Sequence, residues 1–567
     1  MEKNWIYPQP VETGLVNKIA ASLEVPSIIA RLLVARGITT GPEARQFLRP
    51  TLKDLHDPYL MNDMEKTVVR IEEALAARQK IMIYGDYDVD GITGTALLWR
   101  SLFALGAEVS WYLPNRIQEG YGISASGVEE AQRRGVKLII SVDCGITAHP
   151  EVLLAKSLGI DCIITDHHET KDSLPEAVSV LDPKRGDSTY PYQELAGVGV
   201  AYKLMQALYR RLGMEDAALE QHLDLVALGT IADIVPLTGE NRVLAKFGIE
   251  RIKNSSKPGI RALLEVTGLS GKPMDSGQIV FVVAPRINAA GRIGTADLAL
   301  RLLVTENQDE AFTIARSLDE ENRKRKEIDE LILSEAMNMV EQQVNLNKER
   351  VIVLSSDTWH QGVIGIVASR LVEAFYRPTI LIAVDGDKGK GSARSISAFH
   401  LHQALKECQQ HLLGFGGHKY AAGLSIDAGS IPQFRTDINK YADEVLSPED
   451  MIPSQTLDAE VDLDSIDLET AQSFSLFAPF GPGNRHPVLV SDQLRVVGTP
   501  YIVGKNHLKF KVKQNQKIFD TIGFSFGDLL DELEDRDCSL DLAFVLEENE
   551  WQGRKKLQLR VKDIKVR

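Results

Sequence analysis

Between residues 80 and about 236 the chain alternates two hydrophobic patterns. Short runs rich in β-branched residues predict buried strands: Ile81-Met82-Ile83, residues 108–113, Leu138-Ile139-Ile140-Ser141-Val142, Cys162-Ile163-Ile164-Thr165 and residues 177–181. Residues 93–105, 127–134, 151–158 and 198–212 have the spacing of amphipathic helices. Strand and helix in alternation predict an α/β fold built on a parallel, doubly wound sheet. A helix-rich stretch follows to about residue 303.

Residues 307 to about 343 contain no Gly or Pro and abound in Ala, Glu, Lys, Arg and Leu, which predicts one long helix. Its middle, Asp319-Glu320-Glu321-Asn322-Arg323-Lys324-Arg325-Lys326, is too polar for a core, so the helix is expected to bridge two domains. A second, smaller α/β unit opens at Val351-Ile352-Val353-Leu354. From Leu457 onward short alternating segments predict a small β domain; in Leu508-Lys509-Phe510-Lys511-Val512-Lys513 the apolar residues share one face and the lysines the other. The expected organisation is an N-terminal helical region over 1–75, a first α/β domain over 76–305, the linking helix over 306–345, a second α/β domain over 346–448 and the β domain over 455–567.

Several predicted strands end on acidic or imidazole side chains. Ile81-Met82-Ile83 leads into Tyr84-Gly85-Asp86-Tyr87-Asp88-Val89-Asp90-Gly91, the run over 138–142 ends at Asp143, and the run over 162–165 ends at Asp166-His167-His168. In an open α/β sheet, ligands bind beyond the carboxyl ends of the strands. Asp86, Asp88 and Asp90 alternate, so on extended chain they would point to one side, with a helix beginning at Thr93; the other reading is an acidic loop with Asp as the helix N-cap. Carboxylates that close repel unless a cation neutralises them. Asp233, alone in Leu228-Gly229-Thr230-Ile231-Ala232-Asp233-Ile234-Val235-Pro236, also needs a partner; a cap or a metal would serve. Carboxylates with one or two imidazoles suit Mn2+ or Mg2+ better than zinc or copper. Two such ions would serve an in-line phosphoryl displacement, with His168 donating to the phosphate and Asp166 orienting a histidine. The chemistry points to a phosphohydrolase.

The net charge of −15 argues weakly against nucleic acid as a partner. Its distribution argues the other way. Residues 493–519 hold no Asp or Glu but include Arg495, Lys505, Lys509, Lys511, Lys513 and Lys517, and the last fourteen residues carry seven Lys or Arg against Asp563. A basic C-terminal module can track a phosphate backbone. Cys144, Cys162, Cys408 and Cys538 form no Cys-x-x-Cys pair, which disfavours a zinc knuckle or a disulfide framework. No apolar run reaches the roughly 18 residues of a membrane span, and the opening Met1-Glu2-Lys3-Asn4-Trp5 lacks a signal peptide's apolar stretch. A cytoplasmic protein without membrane attachment is expected.

The Asp-His-His triplet, with Asp88-Val89-Asp90 upstream, Asp143 between and Asp233 beyond, resembles the DHH phosphoesterase superfamily. His360-Gln361-Gly362-Val363-Ile364-Gly365, Gly391-Ser392-Ala393-Arg394-Ser395 and Gly414-Phe415-Gly416-Gly417-His418 resemble its associated DHHA1 domain. Pro285-Arg286-Ile287-Asn288-Ala289-Ala290-Gly291-Arg292, the long helix and the basic β tail resemble the RecJ family of single-strand-specific 5′→3′ DNA exonucleases. The resemblance implies that Asp88 and Asp143 hold a first ion and that Asp90, Asp143, His167 and Asp233 hold a second. His168, Asp166 and Asp86 are candidate catalytic residues, Asp86 as a nearby carboxylate. Many superfamily members have a histidine where Tyr84 stands; a phenol is a poor ligand at neutral pH, so first-site affinity would be weaker or substrate-dependent.

The resemblance further implies that the second domain grips the strand. Arg370, Arg394 and His418 would contact phosphates, Ser369, Ser392 and Ser395 would add hydrogen bonds, and Gly416 and Gly417 would admit close backbone approach. Arg286, Asn288, Arg292 and His360 would line the strand path. The tail would be an OB-like domain offering Lys509 and Lys511. Implied partners are single-stranded DNA, a helicase and a single-strand-binding protein, with the enzyme a monomer acting in DNA repair and recombination. Rival readings are a phosphodiesterase of short oligonucleotides or cyclic dinucleotides, which would not need the β tail, and a catalytically inactive single-strand-binding scaffold, which would lose the metal ligands present here.

Overall fold

A computed structural model describes residues 3–115, 119–170, 173–293, 296–534, 539–551 and 554–567. The chain divides into two compact units, one formed mainly by residues 317–454 and the other by 5–291, 296–316 and 455–567.

In the larger unit, strands Ile81–Gly85, Val109–Tyr112, Leu138–Val142, Asp161–Thr165 and Ser179–Leu181 form a parallel sheet. Ile81–Gly85 and Leu138–Val142 are buried along their whole length, which is why they read as continuous apolar runs rather than alternating ones. In space the order is Val109–Tyr112, Ile81–Gly85, Leu138–Val142, Asp161–Thr165, Ser179–Leu181. The first crossover therefore runs one way from Ile81–Gly85 and the next runs the other way. The topological switch point lies between Ile81–Gly85 and Leu138–Val142, where their connections part and leave a crevice. Asp86 and Asp143 are the residues that follow these two strands. Helix Val89–Ala104 packs against Gly197–Arg211 and Leu223–Ala232, and Gly239–Lys253 packs against Leu223–Ala232.

The N-terminal helices Thr13–Leu23, Ser27–Ala35 and Gly41–Leu48 share one hydrophobic core with the C-terminal β domain. Val16, Ile29 and Leu33 of the former lie with Phe477, Phe510 and Phe544 of the latter. The C-terminal sheet closes on itself: Leu489–Val496 pairs with Ser539–Trp551 on one side and His507–Gln514 on the other. The ring is completed through Arg554–Val566 and Lys517–Gly523. That closure makes a five-stranded OB-like barrel. In His507–Gln514, Leu508, Phe510 and Val512 are buried and the lysines point out, as the alternation predicts. Buried Arg242, from Gly239–Lys253, donates to the carbonyls of Phe47, Leu476 and Phe477, tying the N-terminal helices and the β domain to the domain of the parallel sheet.

In the smaller unit a five-stranded mixed sheet runs Leu412–Gly417, Ala421–Asp427, Lys388–Arg394, Thr379–Asp385, Ile352–Ser356, with helix Ile364–Phe375 packed on its middle strands. The long helix Gln308–Gln343 carries the chain from one unit to the other. Its middle is less solvated than its composition predicts. Asn322, Arg325 and Asp329 are buried and continue the stripe of Leu318, Ile332, Ala336 and Val340. Spacing of three and four places them on the helix's buried face despite their polarity. No helix among the described residues is long and apolar enough to cross a membrane. Cys144, Cys162 and Cys408 are buried free thiols; Cys538 lies outside the described residues.

Candidate metal centre

The acidic motif does not lie on extended chain. Helix Val89–Ala104 begins four residues earlier than expected: Asp88 is its N-cap, accepting the Gly91 N–H at 3.0 Å, and Asp90 lies in its first turn. Alternating Asp residues fit an extended run and a cap-plus-first-turn equally well, and the helix N-terminus wins because it favours negative charge. Gly91 is required by close approach, since a Cβ there would lie 2.6 Å from the Asp86 backbone nitrogen.

The side chains nevertheless converge. Asp86, Asp88 and Asp143 bring ligand atoms within 4.8 Å of one another, as do Asp90, His167 and Asp233, and Asp143, His167 and His168. His167 Nε2 lies 3.1 Å from Asp143 Oδ1, 3.6 Å from Asp233 Oδ2 and 3.9 Å from Asp90 Oδ2. Despite that proximity, neither His167 Nε2 nor Asp143 Oδ1 makes a hydrogen bond among the described residues, although both atoms are buried. His167 Nε2 faces the carboxylates, and a neutral imidazole offers a lone pair on one of its ring nitrogens. Burial and the neighbouring His168 hold His167 down to about 3, so it is neutral at pH 7.

The carboxylates carry the strain of crowding. Burial, then Asp88, pushes Asp90 up to about 7 against the hydrogen bonds from Val198 and Gly197. Burial and the charges of Asp88, Asp90, Asp233 and Asp86 raise Asp143 well above the usual carboxylate range. Asp233 is raised likewise, by burial and by Asp90 and Asp88. It is the C-cap of Leu223–Ala232, where the helix dipole disfavours an anion. Buried, mutually repelling carboxylates beside an unpaired imidazole nitrogen fit divalent cations of the Mn2+ or Mg2+ type.

Asp166 is different. Fully buried, it accepts the N–H groups of Ile146, His167 and His168 and lies 2.7 Å from His168 Nδ1. Burial works against its charge, but the His168 hydrogen bond and charge outweigh that and lower it. For His168, burial is outweighed by Asp166 and the surrounding carboxylates, which raise it to about 9, so it is a cation at pH 7. Tyr84 takes no part in the cluster. Its hydroxyl accepts the Ser124 N–H at 3.0 Å and its ring packs on Tyr112, while Asp86 supplies the carboxylate near Asp88 and Asp143.

Sequence reasoning missed four contributors. Gly197 and Val198 donate to Asp90, and a Cβ on Gly197 would lie 2.7 Å from Asp143 Cβ. Gly229 is equally tight, its Cβ 2.8 Å from Asp90 Oδ1. Tyr121 lies against His168, its hydroxyl 3.0 Å from Nδ1. The glycines in Gly197-Val198-Gly199 were the available signal; a lone loop tyrosine offers none.

The candidate strand-binding residues are placed less uniformly. In the smaller unit, Ser392 and Arg394 lie on Lys388–Arg394 beside the start of helix Ile364–Phe375: a Cβ on Gly365 would be 2.7 Å from Ser392 Oγ and 3.1 Å from Arg394 Nη2. Cross-strand register aligns Gly416 with Gly423 and Ser392, and Gly417, at φ +133°, closes the neighbouring pair with Ala422. His418 is exposed just beyond it, and His360 Nδ1 accepts the Gly362 N–H before the helix. Three residues are engaged within the protein. Arg370 pairs with Asp329 at 3.1 Å, Ser369 Oγ donates to the Gly365 carbonyl, and Ser395 Oγ to that of Phe399. In the larger unit, Arg286 donates to the Val282 carbonyl from helix Ala284–Ile293 and Asn288 is half-buried; the Arg292 side chain lies outside the described residues. Gly291 of that helix abuts the Tyr87 carbonyl, between Asp86 and Asp88. Lys509 and Lys511 lie on the outer face of the barrel, Lys511 3.9 Å from Asp520.

Family models match in the same order along the chain: the DHH family N-terminal domain over residues 80–230, the DHHA1 domain over 348–444 and the RecJ OB domain over 457–563. A relative from Bacillus subtilis (strain 168), a single-stranded-DNA-specific exonuclease RecJ, is 40% identical over 569 residues, covering 99% of this chain and 71% of its own. The chain belongs to the RecJ family. RecJ from Thermus thermophilus in complex with Mn2+ superposes with a TM-score of 0.85 at 32% identity, covering 99% of this chain and 79% of that one. Its complex with Mg2+ gives a TM-score of 0.79 at 29% identity, covering 99% and 78%. The family resemblance read from the Asp-His-His triplet and its flanking motifs is borne out, as is the α/β fold with a C-terminal OB-like RecJ domain.

Proposed function

We propose that this chain is a metal-dependent exonuclease that hydrolyses single-stranded DNA from the 5′ end to mononucleotides, in DNA repair and recombination. One observation carries the chemistry: His167 Nε2 and Asp143 Oδ1, buried 3.1 Å apart without a hydrogen bond, face one point among Asp90 and Asp233. Asp86, Asp88 and Asp143 would hold one cation and Asp90, Asp143, His167 and Asp233 the other, with Asp143 shared. Two such ions, Mn2+ or Mg2+, supply when bound the charge that activates a water and stabilises the leaving oxygen. The chain's own residues do the rest. Asp166 holds the His168 ring, and His168 donates to a phosphate oxygen of the strand. Ser392, Arg394 and the N-terminus of Ile364–Phe375 form a cradle suited to a phosphate, with Gly416, Gly417, His418 and His360 nearby in sequence or register.

Polarity and DNA preference rest on family membership. A polymeric substrate is supported by the OB-like barrel and its outward Lys509 and Lys511. The reading includes a helicase and a single-strand-binding protein as partners, a monomeric enzyme, a cytoplasmic location supported by the free cysteines, and domain limits near 76–305, 346–448 and 455–567. Competition between a long single strand and a two-nucleotide substrate tests it. Preferential turnover of the long strand supports the exonuclease, and turnover of the dinucleotide alone favours a small-substrate phosphodiesterase.

A further inference from the structure

Tyr121 stands on the loop between strand Val109–Tyr112 and helix Ala125–Arg133, with half of its surface exposed but its hydroxyl turned inward. That hydroxyl donates to the Asp143 main-chain carbonyl at 3.0 Å and lies 3.0 Å from His168 Nδ1, the two rings meeting edge to face at 5.5 Å. Both partners need holding. Asp143 adopts a left-handed backbone, φ +61°, which a non-glycine residue occupies at a cost of about 1 kcal/mol or more. This conformation turns its carboxylate toward His167. The His168 side chain is about a third exposed, so its ring orientation depends on Asp166 and Tyr121 rather than on close packing.

The loop is anchored on its other side. Glu119 accepts the Asn115 N–H at 2.7 Å and the hydroxyls of Tyr112, Ser124 and Ser126 at 2.8, 2.7 and 2.9 Å. Ser124 in turn caps helix Ala125–Arg133 through the Gly127 N–H. Tyr121 therefore reaches the reaction centre from a braced base.

We propose that Tyr121 is a positioning residue: its hydroxyl locks the left-handed turn at Asp143 and the His168 ring together, fixing the shared carboxylate and the phosphate-facing imidazole in one geometry. The inference rests on the metal-dependent nuclease reading. Outer groups that orient ligands typically change metal affinity or activity by about 10–100-fold when removed.

The test uses the full chain with Tyr121→Phe, which deletes only the hydroxyl, and Glu119→Gln, which loosens the base of the loop. Mn2+ binding is measured by calorimetry without DNA, and turnover on a single-stranded oligonucleotide gives kcat and KM. The expected result for Tyr121→Phe is Mn2+ affinity and kcat each lower by about tenfold or more, with KM little changed. Glu119→Gln is expected to move both in the same direction by a smaller factor. Unchanged Mn2+ affinity and kcat in Tyr121→Phe would overturn the proposal, as would a rise in KM alone, which would make the exposed ring a strand contact. A wild-type chain that neither takes up Mn2+ nor cuts DNA would overturn the functional reading as well.

Discussion

Asp90 Oδ2 accepts the backbone N–H of Gly197 at 2.6 Å, while its Oδ1 accepts that of Val198 at 2.9 Å. Helix Gly197–Arg211 has no side-chain cap of its own, so a carboxylate from the first βα connection caps it. The N-terminal dipole stabilises Asp90 as an anion, whereas Asp233, at the C-terminal end of Leu223–Ala232, is disfavoured as one. The two carboxylates meet at His167. The centre is thus braced by helix ends as well as by strand ends.

Gly197→Ala tests that bracing. Its Cβ would lie 2.7 Å from Asp143 Cβ and 3.0 Å from Asp143 Cα, so Asp143 must move. Overpacking of this kind costs about 1–3 kcal/mol, which leaves the chain folded. Nuclease rate and Mn2+ affinity are expected to fall by about tenfold or more, the scale of a lost orienting contact. A variant that melts slightly lower but cuts at the normal rate would show that the close approach has no catalytic consequence.

Removal of the metal gives stability an unusual pH dependence. Asp90 is raised to about 7, Asp143 and Asp233 are raised well above the usual carboxylate range, and His168 is raised to about 9. Each holds its proton more tightly folded than unfolded, so each contributes stability that is lost as pH rises through its folded value. His167, held down to about 3, and Asp166, lowered below the usual carboxylate range, have completed their opposing contributions above about 6.5. From pH 6.5 to 9 the melting temperature of the metal-free protein is therefore expected to fall. Saturating Mg2+ should flatten that slope by neutralising the carboxylates. Parallel slopes with and without Mg2+ would place the ion elsewhere.

Much of this was readable in sequence for a physical reason. Strands buried on both faces are continuous apolar runs, so Asp143 and Asp166 mark their ends plainly. The partners of those residues were not readable. Gly197 lies 107 residues from Asp90, and no local pattern records a hydrogen bond over that distance. Nor does periodicity name a helix's partner: Ile29 and Leu33 signal a buried face, but only the fold shows that it meets Phe477 and Phe510 of the barrel. For Asp88 and Asp90 the sequence left extended chain and a helix cap both open, because the two use the same spacing, and the fold decides for the cap.

Asp143→Ala separates chemistry from folding. Asp143 belongs to the groups with Asp86 and Asp88 and with His167 and His168, so its loss removes a ligand from both proposed ions. Nuclease rate should drop by several orders of magnitude, as when an essential catalytic group is removed. The metal-free variant should be at least as stable as the metal-free parent, since a crowded buried carboxylate is gone. Near-normal turnover in this variant would rule out the metal assignment.

Arg394→Ala addresses the strand. Arg394 Nη1 donates to Ser392 Oγ at 3.2 Å and to the Ala393 carbonyl at 2.8 Å, which holds the guanidinium near the start of Ile364–Phe375. Binding of single-stranded DNA should weaken, and the slope of log affinity against log salt should become shallower by about 0.7, the value for one phosphate contact on a single strand. An unchanged slope would mean that the guanidinium touches no phosphate.

The most direct measurement is digestion of one single-stranded oligonucleotide labelled at its 5′ end and, separately, at its 3′ end, each with Mn2+ and with EDTA. The prediction is immediate release of labelled mononucleotide from the 5′-labelled strand, late release from the 3′-labelled strand, and no release from either in EDTA. Release first from the 3′ label would contradict the polarity, and undiminished cleavage in EDTA would contradict the metal centre on which the account depends.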